Sequence, residues 1–332
     1  KTISAIRPET WEEINRVLLS NARQAKLEDG GVVRLDSTVT SALMHEPSDS
    51  SLLWDAVRIM VRLLKQADAL AGGAGLGEWR DHCRAAKKRA RKIQFTRGRP
   101  NRVQLYRELI AITRATLAYL RQAAAQLAVA SNPLVELWQA QLCHYRPLIE
   151  RIIAQSERRV LAGELVPASD KLVSLFEPHA DIIVKGSRDT EYGHKLNLTT
   201  GRSGMILDLV IEAGNPRDSD RLLPMLERHV AFYGRAPRQA AADGGFASRD
   251  NLATAKTLGV RDMAFHKKAG LRIEDMVRSN WVYRKLRNFR AGIEADISCL
   301  KRAYGLARCT WRGLDHFKSY VWSSIVAYNL VV

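Results

Sequence analysis

One segment near the C-terminus constrains this chain most, because its residues repeat with the period of a helix. Residues 286–304 read LRNFRAGIEADISCLKRAY. Apolar side chains recur there at steps of three and four, which predicts an amphipathic helix with one face in a core. A second stripe at the same steps is polar: Arg287, Arg290, Glu294, Ser298 and Lys301. This stripe fits a site where a carboxylate holds a metal and cations hold phosphate. It equally fits a helix covered in surface ion pairs.

The overall charge indicates an anionic partner. The chain has 332 residues, enough for one large or two ordinary domains, and a formal net charge of +17. Nucleic acid is the commonest partner of so basic a protein, although ribosomal, membrane-surface and polyphosphate-binding proteins share this composition. The four cysteines form no CxxC pair, so no zinc site is predicted. Serines interrupt the apolar segment 317–332, which predicts a buried helix and no membrane span.

The order of predicted elements indicates a mixed sheet with helices on its faces. A helix over 8–28 precedes a short strand at 32–36, and residues 51–165 are helical. After Pro167 the pattern changes to strands first and then alternating helices and strands. The strands are predicted at 181–185, 194–199, 205–211, 238–243 and 262–266, and the helices at 219–233, 248–258, 286–304 and 315–330.

Three carboxylates are candidates for metal-dependent phosphoryl transfer, a reaction that needs hard oxygen ligands converging from distant elements. Asp36 and Asp243 each close a short predicted strand, and Gly244-Gly245 after the second leaves room for backbone and substrate to approach. Glu294 lies on the facing helix. Each aspartate equally fits a turn or cap residue. Asp208 is a competitor inside an apolar strand, ranked lower because no small residues follow it.

Several blocks of sequence carry a resemblance to a known family. They are VVRLDSTVT around Asp36, GHKLNLTTGRSGMILDLVI at 193–211, GNPRDSDRLLPMLERH at 214–229, AADGGFASRDNLATAK at 241–256, and the block from WVYRKLRNFRAGIEADISCLKRAY to SIVAYNL at 281–330. With these blocks the chain resembles the DDE transposases of bacterial insertion sequences, most closely the ISNCY group. The resemblance covers nearly the whole chain and is densest after residue 170.

The resemblance implies an α/β fold: an RNase H-like mixed sheet flanked by helices, with a large all-helical insertion between the first and second strands. The implied domains are residues 1–30 as an N-terminal helix, remnant or linker of a DNA-binding module, residues 31–50 as the first part of the catalytic core, 51–168 as the helical insertion, and 169–332 as the remainder of the core with its C-terminal helix. A complete N-terminal module that reads terminal repeats is not expected in front of the first strand.

The implied activity is that of a DNA transposase, which performs metal-dependent phosphodiester hydrolysis and strand transfer at insertion-sequence ends. Asp36, Asp243 and Glu294 would form its acidic triad and bind two Mg²⁺ or Mn²⁺ ions. The implied partners are double-stranded DNA, as transposon ends and target, and a second copy of the chain in a synaptic complex, in the nucleoid region of a bacterial cytoplasm. Two alternatives remain: a non-catalytic DNA-binding protein derived from a transposase, and an RNase H-like nuclease that does not join strands.

Basic residues on two segments are predicted to contact DNA. In related transposases the final glutamate lies in a Tyr–Arg–Glu–Lys pattern, which Arg290 and Lys301 match by spacing, whereas Arg287 holds the tyrosine position and Tyr283 is offset. Lys285, Arg287 and Arg302 are weaker candidates on the same helix. The densest basic cluster, residues 80–102, is predicted to contact phosphates through Lys87, Lys88, Arg89, Arg91 and Lys92; a solvated helix face is its alternative.

Overall fold

The chain forms two compact units. The structure is a computed structural model and describes residues 3–72, 75–128, 132–185, 189–267 and 269–332. The first unit, here the sheet unit, comprises Lys1–Leu43 and His179–Val332. The second, the helical unit, comprises Met44–Pro178. The predicted insertion, residues 51–168, lies inside the helical unit, and its residues 73–74 and 129–131 lie outside the described residues.

The sheet unit is built on a mixed sheet of six strands: β1 (Val32–Ser41), β2 (Asp181–Lys185), β3 (Asp189–Gly201), β4 (Ile206–Ile211), β5 (Gln239–Ala242) and β6 (Asp262–Phe265). The order is β2-β3-β1-β5-β6, and β4 also pairs with β3. β1 is antiparallel to β3 and parallel to β5, which is parallel to β6. An antiparallel half therefore continues into a parallel half, as expected for the RNase H-like fold.

Two strands are longer than the sequence predicts. β1 does not stop at Asp36 but continues to Ser41, so the prediction that this aspartate closes a strand is wrong. The reason is that residues 37–41 continue the antiparallel pairing with β3, which itself begins at Asp189. The parallel partner β5 pairs with β1 only as far as Leu35. Asp36 thus lies where one neighbouring strand ends and the other continues.

Helices cover the sheet and make up the second unit. In chain order they are α1 (Pro8–Gln24), α2 (Asp49–Ala71), α3 (Cys83–Phe95), α4 (Arg99–Leu127), α5 (Pro133–Ser156), α6 (Leu222–Tyr233), α7 (Arg249–Thr257), α8 (Ile273–Met276), α9 (Asn280–Ala303) and α10 (Leu314–Asn329). A π-helical turn, Glu157–Leu161, follows α5. No helix in the described part of the chain is both long enough and apolar enough to cross a membrane.

The N-terminal helix packs on the C-terminal one within the sheet unit. α1 contacts α10, and the amide of Asn329 donates both to Asn15 Oδ1 (2.7 Å) and to the carbonyl of Ile206 (2.8 Å). Asn15 is 1% exposed. These buried hydrogen bonds join the two ends of the chain to β4. The role of residues 1–30 as the remnant of a DNA-binding module stays a prediction.

The helical unit has a core of its own. α2 is amphipathic and packs against α3, α4 and α5. It begins with a capping box in which Ser48 and Ser51 satisfy each other's backbone amides. The indole of Trp138 on α5 donates to the Leu63 carbonyl (2.8 Å) inside this core. No described residue of Met44–Pro178 belongs to a strand. The predicted fold class, a mixed sheet flanked by helices with an all-helical insertion after the first strand, is confirmed.

A buried histidine in the sheet unit predicts acid sensitivity. His229 on α6 is 3% exposed, and burial lowers its pKa to about 4. An unfolded histidine takes up a proton near pH 6.5. As the pH falls from about 6.5 to about 4, the unfolded state therefore gains the proton first. We expect this residue to lower the free energy of unfolding by about 1.4 kcal/mol per pH unit in that window.

The comparison is His229→Phe, which keeps an aromatic ring against Tyr233. Urea unfolding between pH 7 and pH 4 should show a shallower acid loss in His229→Phe than in the wild type. His316→Phe, at an exposed position, is the control and should behave as the wild type. Equal acid slopes in all three proteins would contradict the prediction.

Candidate active site

The parallel pairing of β1 with β5 places two predicted carboxylates side by side. The register ends at Leu35 opposite Ala242, so the next residues along the two strands are Asp36 and Asp243. Adjacent strands lie about 4.8 Å apart, and paired residues project to the same face of a sheet. Two aspartates that are 207 residues apart in the sequence (243 − 36) therefore meet at the carboxyl end of β5.

α9 brings the third carboxylate to this face. It packs against β1, β5 and β6, and Ser279 caps its N-terminus by accepting from the amide of Val282. Its apolar stripe is buried, as the period predicts: Val282, Tyr283, Leu286, Ile293 and Leu300. Glu294 follows Ile293 on the exposed side, and Arg290 precedes it by one turn. Both side chains thereby reach the edge of the helix that borders the two aspartates.

A single guanidinium joins all three carboxylates. Arg290 Nη2 donates to Asp36 Oδ2 (2.8 Å) and lies 3.5 Å from Asp243 Oδ1. Arg290 Nη1 donates to Glu294 Oε1 (2.7 Å). Arg290 is only 8% exposed. The structure thus brings together four of the residues that the sequence singles out, one from β1, one after β5 and two from α9.

The three carboxylates differ in access to solvent. Their side chains are 13% exposed for Asp36, 40% for Asp243 and 65% for Glu294. Three carboxylates against one guanidinium leave two negative charges at the site. A buried guanidinium is costly unless it is well paired, and this one is paired on both terminal nitrogens. The arrangement is therefore an anionic cluster that already holds one cation and attracts more.

The donor set fits a divalent metal in its chemistry. Among the described residues, no three acidic, histidine or cysteine side chains lie close enough together to hold a metal ion. The carboxylates surround the Arg290 guanidinium instead, so that a cation already stands among them. Carboxylate oxygens are the ligands that Mg²⁺ and Mn²⁺ prefer. Asp36, Asp243 and Glu294 are therefore the residues at this site whose chemistry fits a divalent ion.

A second buried arginine fixes the position of α9. Arg34 lies two residues before Asp36 on β1, hence on the same face. Its Nη1 donates to the carbonyl of Phe289 (2.9 Å), and its Nη2 pairs with Asp296 (2.5 Å). Its Nε donates to Thr200 Oγ1 on β3 (2.7 Å). Phe289 and Asp296 flank Arg290 and Glu294 in the sequence. The bonds of Arg34 to them therefore fix the distance of this part of α9 from the sheet.

Comparison with known families agrees with this geometry. A family model described as "Transposase DDE domain" matches residues 183–330. The match includes Asp243, Arg290 and Glu294 and leaves out Asp36. Residues 183–330 are thus similar to a transposase DDE domain. The resemblance to DDE transposases is thereby confirmed, whereas the ISNCY group is not. No curated protein and no solved structure matches the chain. Proteins of this family typically use a divalent metal and bind DNA.

The sequence analysis did not identify three residues at the contact between β1 and α9. They are Arg34, Gly292 and Asp296. Burial raises the pKa of Asp296 above its usual range, and burial likewise raises that of Tyr328, whose hydroxyl donates to Asp296. Two signals were present in the sequence. A charged residue interrupts the apolar run VVRL, and a glycine in mid-helix, which costs about 1 kcal/mol relative to alanine, indicates close approach by another group.

The glycines after Asp243 were expected to leave room for backbone and substrate to approach. The room beside Gly244 is taken by the aliphatic part of Lys267, and that beside Gly245 by Asp218. Asp218 also forms an ion pair with the buried Lys195 (2.5 Å). The small residues thus allow the loop that carries Asp243 to pack on the protein itself.

The competing aspartate, Asp208, is engaged elsewhere in the sheet unit. Both oxygens of Asp208 accept hydrogen bonds from Arg228 (2.6 and 2.7 Å). Arg228 also pairs with Glu12 (3.0 Å). Tyr283, the tyrosine offset from the family pattern, is buried, and its hydroxyl donates to the carbonyl of Phe265 (3.0 Å). Both residues are therefore engaged in contacts that support the fold.

The other predicted DNA contacts lie on helix surfaces. On α9, Arg287 and Arg302 are exposed, Lys301 is half-buried, and Lys285 lies over the exposed ring of Trp281 (5.2 Å). In the helical unit α3 is buried through Ala86, Ala90 and Ile93, so that its basic residues point outward. They are exposed except for Arg89, which pairs with Glu108: Lys87, Lys88, Arg89, Arg91 and Lys92. Their contact with DNA stays a prediction.

The surroundings of Gly292 predict that Gly292→Ala changes the free energy of unfolding in the direction opposite to that expected from helix propensity. A Cβ at this position would overlap Arg34 Nη1. Propensity alone predicts that Gly292→Ala stabilises α9 by about 1 kcal/mol. We expect instead that it lowers the free energy of unfolding by roughly 1–3 kcal/mol, because Arg34 must give up its bonds or α9 must move. Urea unfolding measures the change, and a stabilised variant would contradict this account.

Proposed function

We propose that this chain is a DNA transposase that cuts phosphodiester bonds at the ends of an insertion sequence and joins the ends to target DNA. One observation carries the proposal: carboxylates from β1, from the end of β5 and from α9 converge on one cation. The family match supports the same chemistry for the part of the chain that contains Asp243 and Glu294.

The three carboxylates would hold two Mg²⁺ or Mn²⁺ ions. When bound, such ions activate the attacking water or 3′-hydroxyl and stabilise the departing oxygen of the phosphodiester. Asp36 is the most enclosed of the three and is fixed within a strand that is paired on both sides up to Leu35. Glu294, the most exposed, completes the set from the facing helix. The chain thereby provides rigid ligands on the sheet and an adjustable one on α9.

Arg290 has two roles in this proposal. Without metal it neutralises the carboxylates, which would otherwise repel one another at close range. Metal at the carboxylates would take over this neutralising role, and the Arg290 guanidinium would then contact the scissile phosphate, for which its planar donors are well suited. Other cations on the same helix, all exposed except the half-buried Lys301, would then position the DNA backbone: Lys285, Arg287, Lys301 and Arg302. Two copies of the chain, one at each element end, are the expected assembly.

Asp243→Asn should abolish the reaction. The amide keeps the shape of the side chain but removes the charge that holds metal. We expect cleavage and joining of element-end DNA in Mg²⁺ to fall by about 10²-fold or more. Gel analysis of labelled DNA measures both steps.

Asp208→Asn is the matched control, because Asp208 lies in the same unit and pairs with Arg228 away from the carboxylates. It should retain activity once thermal melting confirms that it is folded. Full activity of Asp243→Asn would remove Asp243 from the mechanism. Cleavage without joining by the wild type would favour the nuclease alternative.

Arg290→Met should change metal binding in a direction that a purely structural residue would not. The metal-free variant loses the cation that offsets three carboxylates, so its melting temperature in EDTA should fall. Mn²⁺ no longer competes with the guanidinium, so calorimetric titration should show roughly tenfold tighter Mn²⁺ binding. The rise in melting temperature on adding Mn²⁺ should be correspondingly larger.

Arg284→Met is the control, since Arg284 is exposed on the same helix. It should leave both the Mn²⁺ affinity and the metal-free melting temperature near the wild-type values. A folded Arg290→Met protein with unchanged or weaker Mn²⁺ binding would show that the guanidinium does not occupy the place of a metal.

A further inference from the structure

The helical unit contains an open cavity that the site above does not use. Its volume is about 600 Å³, roughly twenty times the ~30 Å³ of one water molecule in the liquid. The first turn of α4 forms one wall, and the π-helical turn with the loop that follows it forms the other. We refer to this cavity as the α4 basin. All of its lining residues belong to the helical unit.

Most of the charged side chains in the lining of the α4 basin are basic: Arg99, Arg102, Arg159 and Lys171. The two acidic residues in the lining are already paired. Asp49 accepts from Arg159 Nη1 (2.9 Å), and Glu164 accepts from Arg158 Nε (2.8 Å). Within the described residues the other three cations, those of Arg99, Arg102 and Lys171, have no carboxylate within ion-pair distance. The basin therefore carries uncompensated positive charge.

The start of α4 adds to this charge. Gly98 precedes the helix with a φ of 85° and offers no side-chain cap, and the first turn contains no acidic residue. Arg99 and Arg102 stand there instead, against the positive end of the helix dipole. A cation at that end opposes the dipole by about 0.3–1 kcal/mol. Amide groups at a helix start favour an anion, so a bound phosphate would relieve both the uncapped amides and the repulsion.

The opposite wall is shaped to let Arg99 approach. Gly163 has a φ of 75°, which favours glycine, and a Cβ there would lie 3.0 Å from Arg99 Nη2. Tyr106, which is 6% exposed, forms part of the same surface. The loop and the helix start are therefore close-fitting at one end of the cavity, while the remainder is open to solvent.

We propose that the α4 basin binds a phosphate group of the DNA backbone. The site lies apart from α3 in the sequence. It takes Arg99 and Arg102 from the end of the predicted basic cluster 80–102 and adds Arg159 and Lys171 on the far wall. The choice of DNA as the source of the phosphate rests on the proposed function. The phosphate chemistry rests on the basin alone, and a free phosphate ion is the other source that the same chemistry admits.

The test compares two double variants of the full chain that lose the same charge. Arg102→Gln with Lys171→Gln removes two cations of the basin. Arg107→Gln with Arg146→Gln removes two exposed cations of α4 and α5 outside it. Fluorescence anisotropy with a labelled duplex, in EDTA and over a range of salt, gives affinity and salt slope without any cleavage. Thermal melting in inorganic phosphate against chloride at equal ionic strength tests the free ion.

We expect the basin variant to bind duplex roughly tenfold more weakly near 0.1 M salt, with a slope of log K against log salt lower by about 2. The control should change less in both. Stabilisation by inorganic phosphate that is lost in the basin variant, with DNA binding equal to the control, would overturn DNA as the source and keep a phosphate site. Equal behaviour of the two variants in both assays would overturn the proposal. Because no assay requires metal or cleavage, these outcomes are independent of whether the chain is an active transposase.

Discussion

Two buried arginines hold α9 on the sheet, and the candidate active site depends on them. Arg34 and Arg290 are each 8% exposed, and each reaches between β1 and the helix. A buried guanidinium is destabilising unless its donors are satisfied, so displacement of α9 would leave two charges unpaired. Hydrophobic packing along the apolar stripe determines which face of α9 lies on the sheet, but it does not prevent the helix from sliding along the sheet. The directional bonds of Arg34 to the Phe289 carbonyl and to Asp296 fix its register against Asp36.

The two arginines differ in what can replace them. The partners of Arg34 are enclosed, since the side chain of Asp296 is 12% exposed and also accepts from Tyr328. The partners of Arg290 become more exposed from Asp36 to Glu294, so solvent and ions reach them from one side. The first guanidinium is therefore a permanent part of the fold. The second is open to solvent on the side of Asp243 and Glu294, and the proposed metal binding relies on this access.

The sequence alone predicted those elements whose pattern lies within a short stretch of the chain. The helical period of residues 286–304 identified both the buried face and the polar stripe of α9, and the short apolar runs before Asp36 and Asp243 identified their strands. It was insufficient where a position depends on partners distant in the chain. Arg34 and Asp296 are separated by 262 residues, and nothing near either residue indicates the other. The extension of β1 to Ser41 likewise results from its pairing with β3 and not from its own composition.

The distribution of charge also shows why the formal net charge of +17 is an incomplete guide to DNA binding. Cations such as those of Arg34, Arg228 and Arg290 are paired inside the sheet unit and contribute little to the field outside the protein. The exposed cations of α3 and the α4 basin do contribute to it. Salt screens charges in solvent beyond about 8–10 Å but has little effect on buried pairs. Salt should therefore weaken the association of the exposed cations with a polyanion, whereas the buried ion pair of Arg34 with Asp296 should keep its geometry.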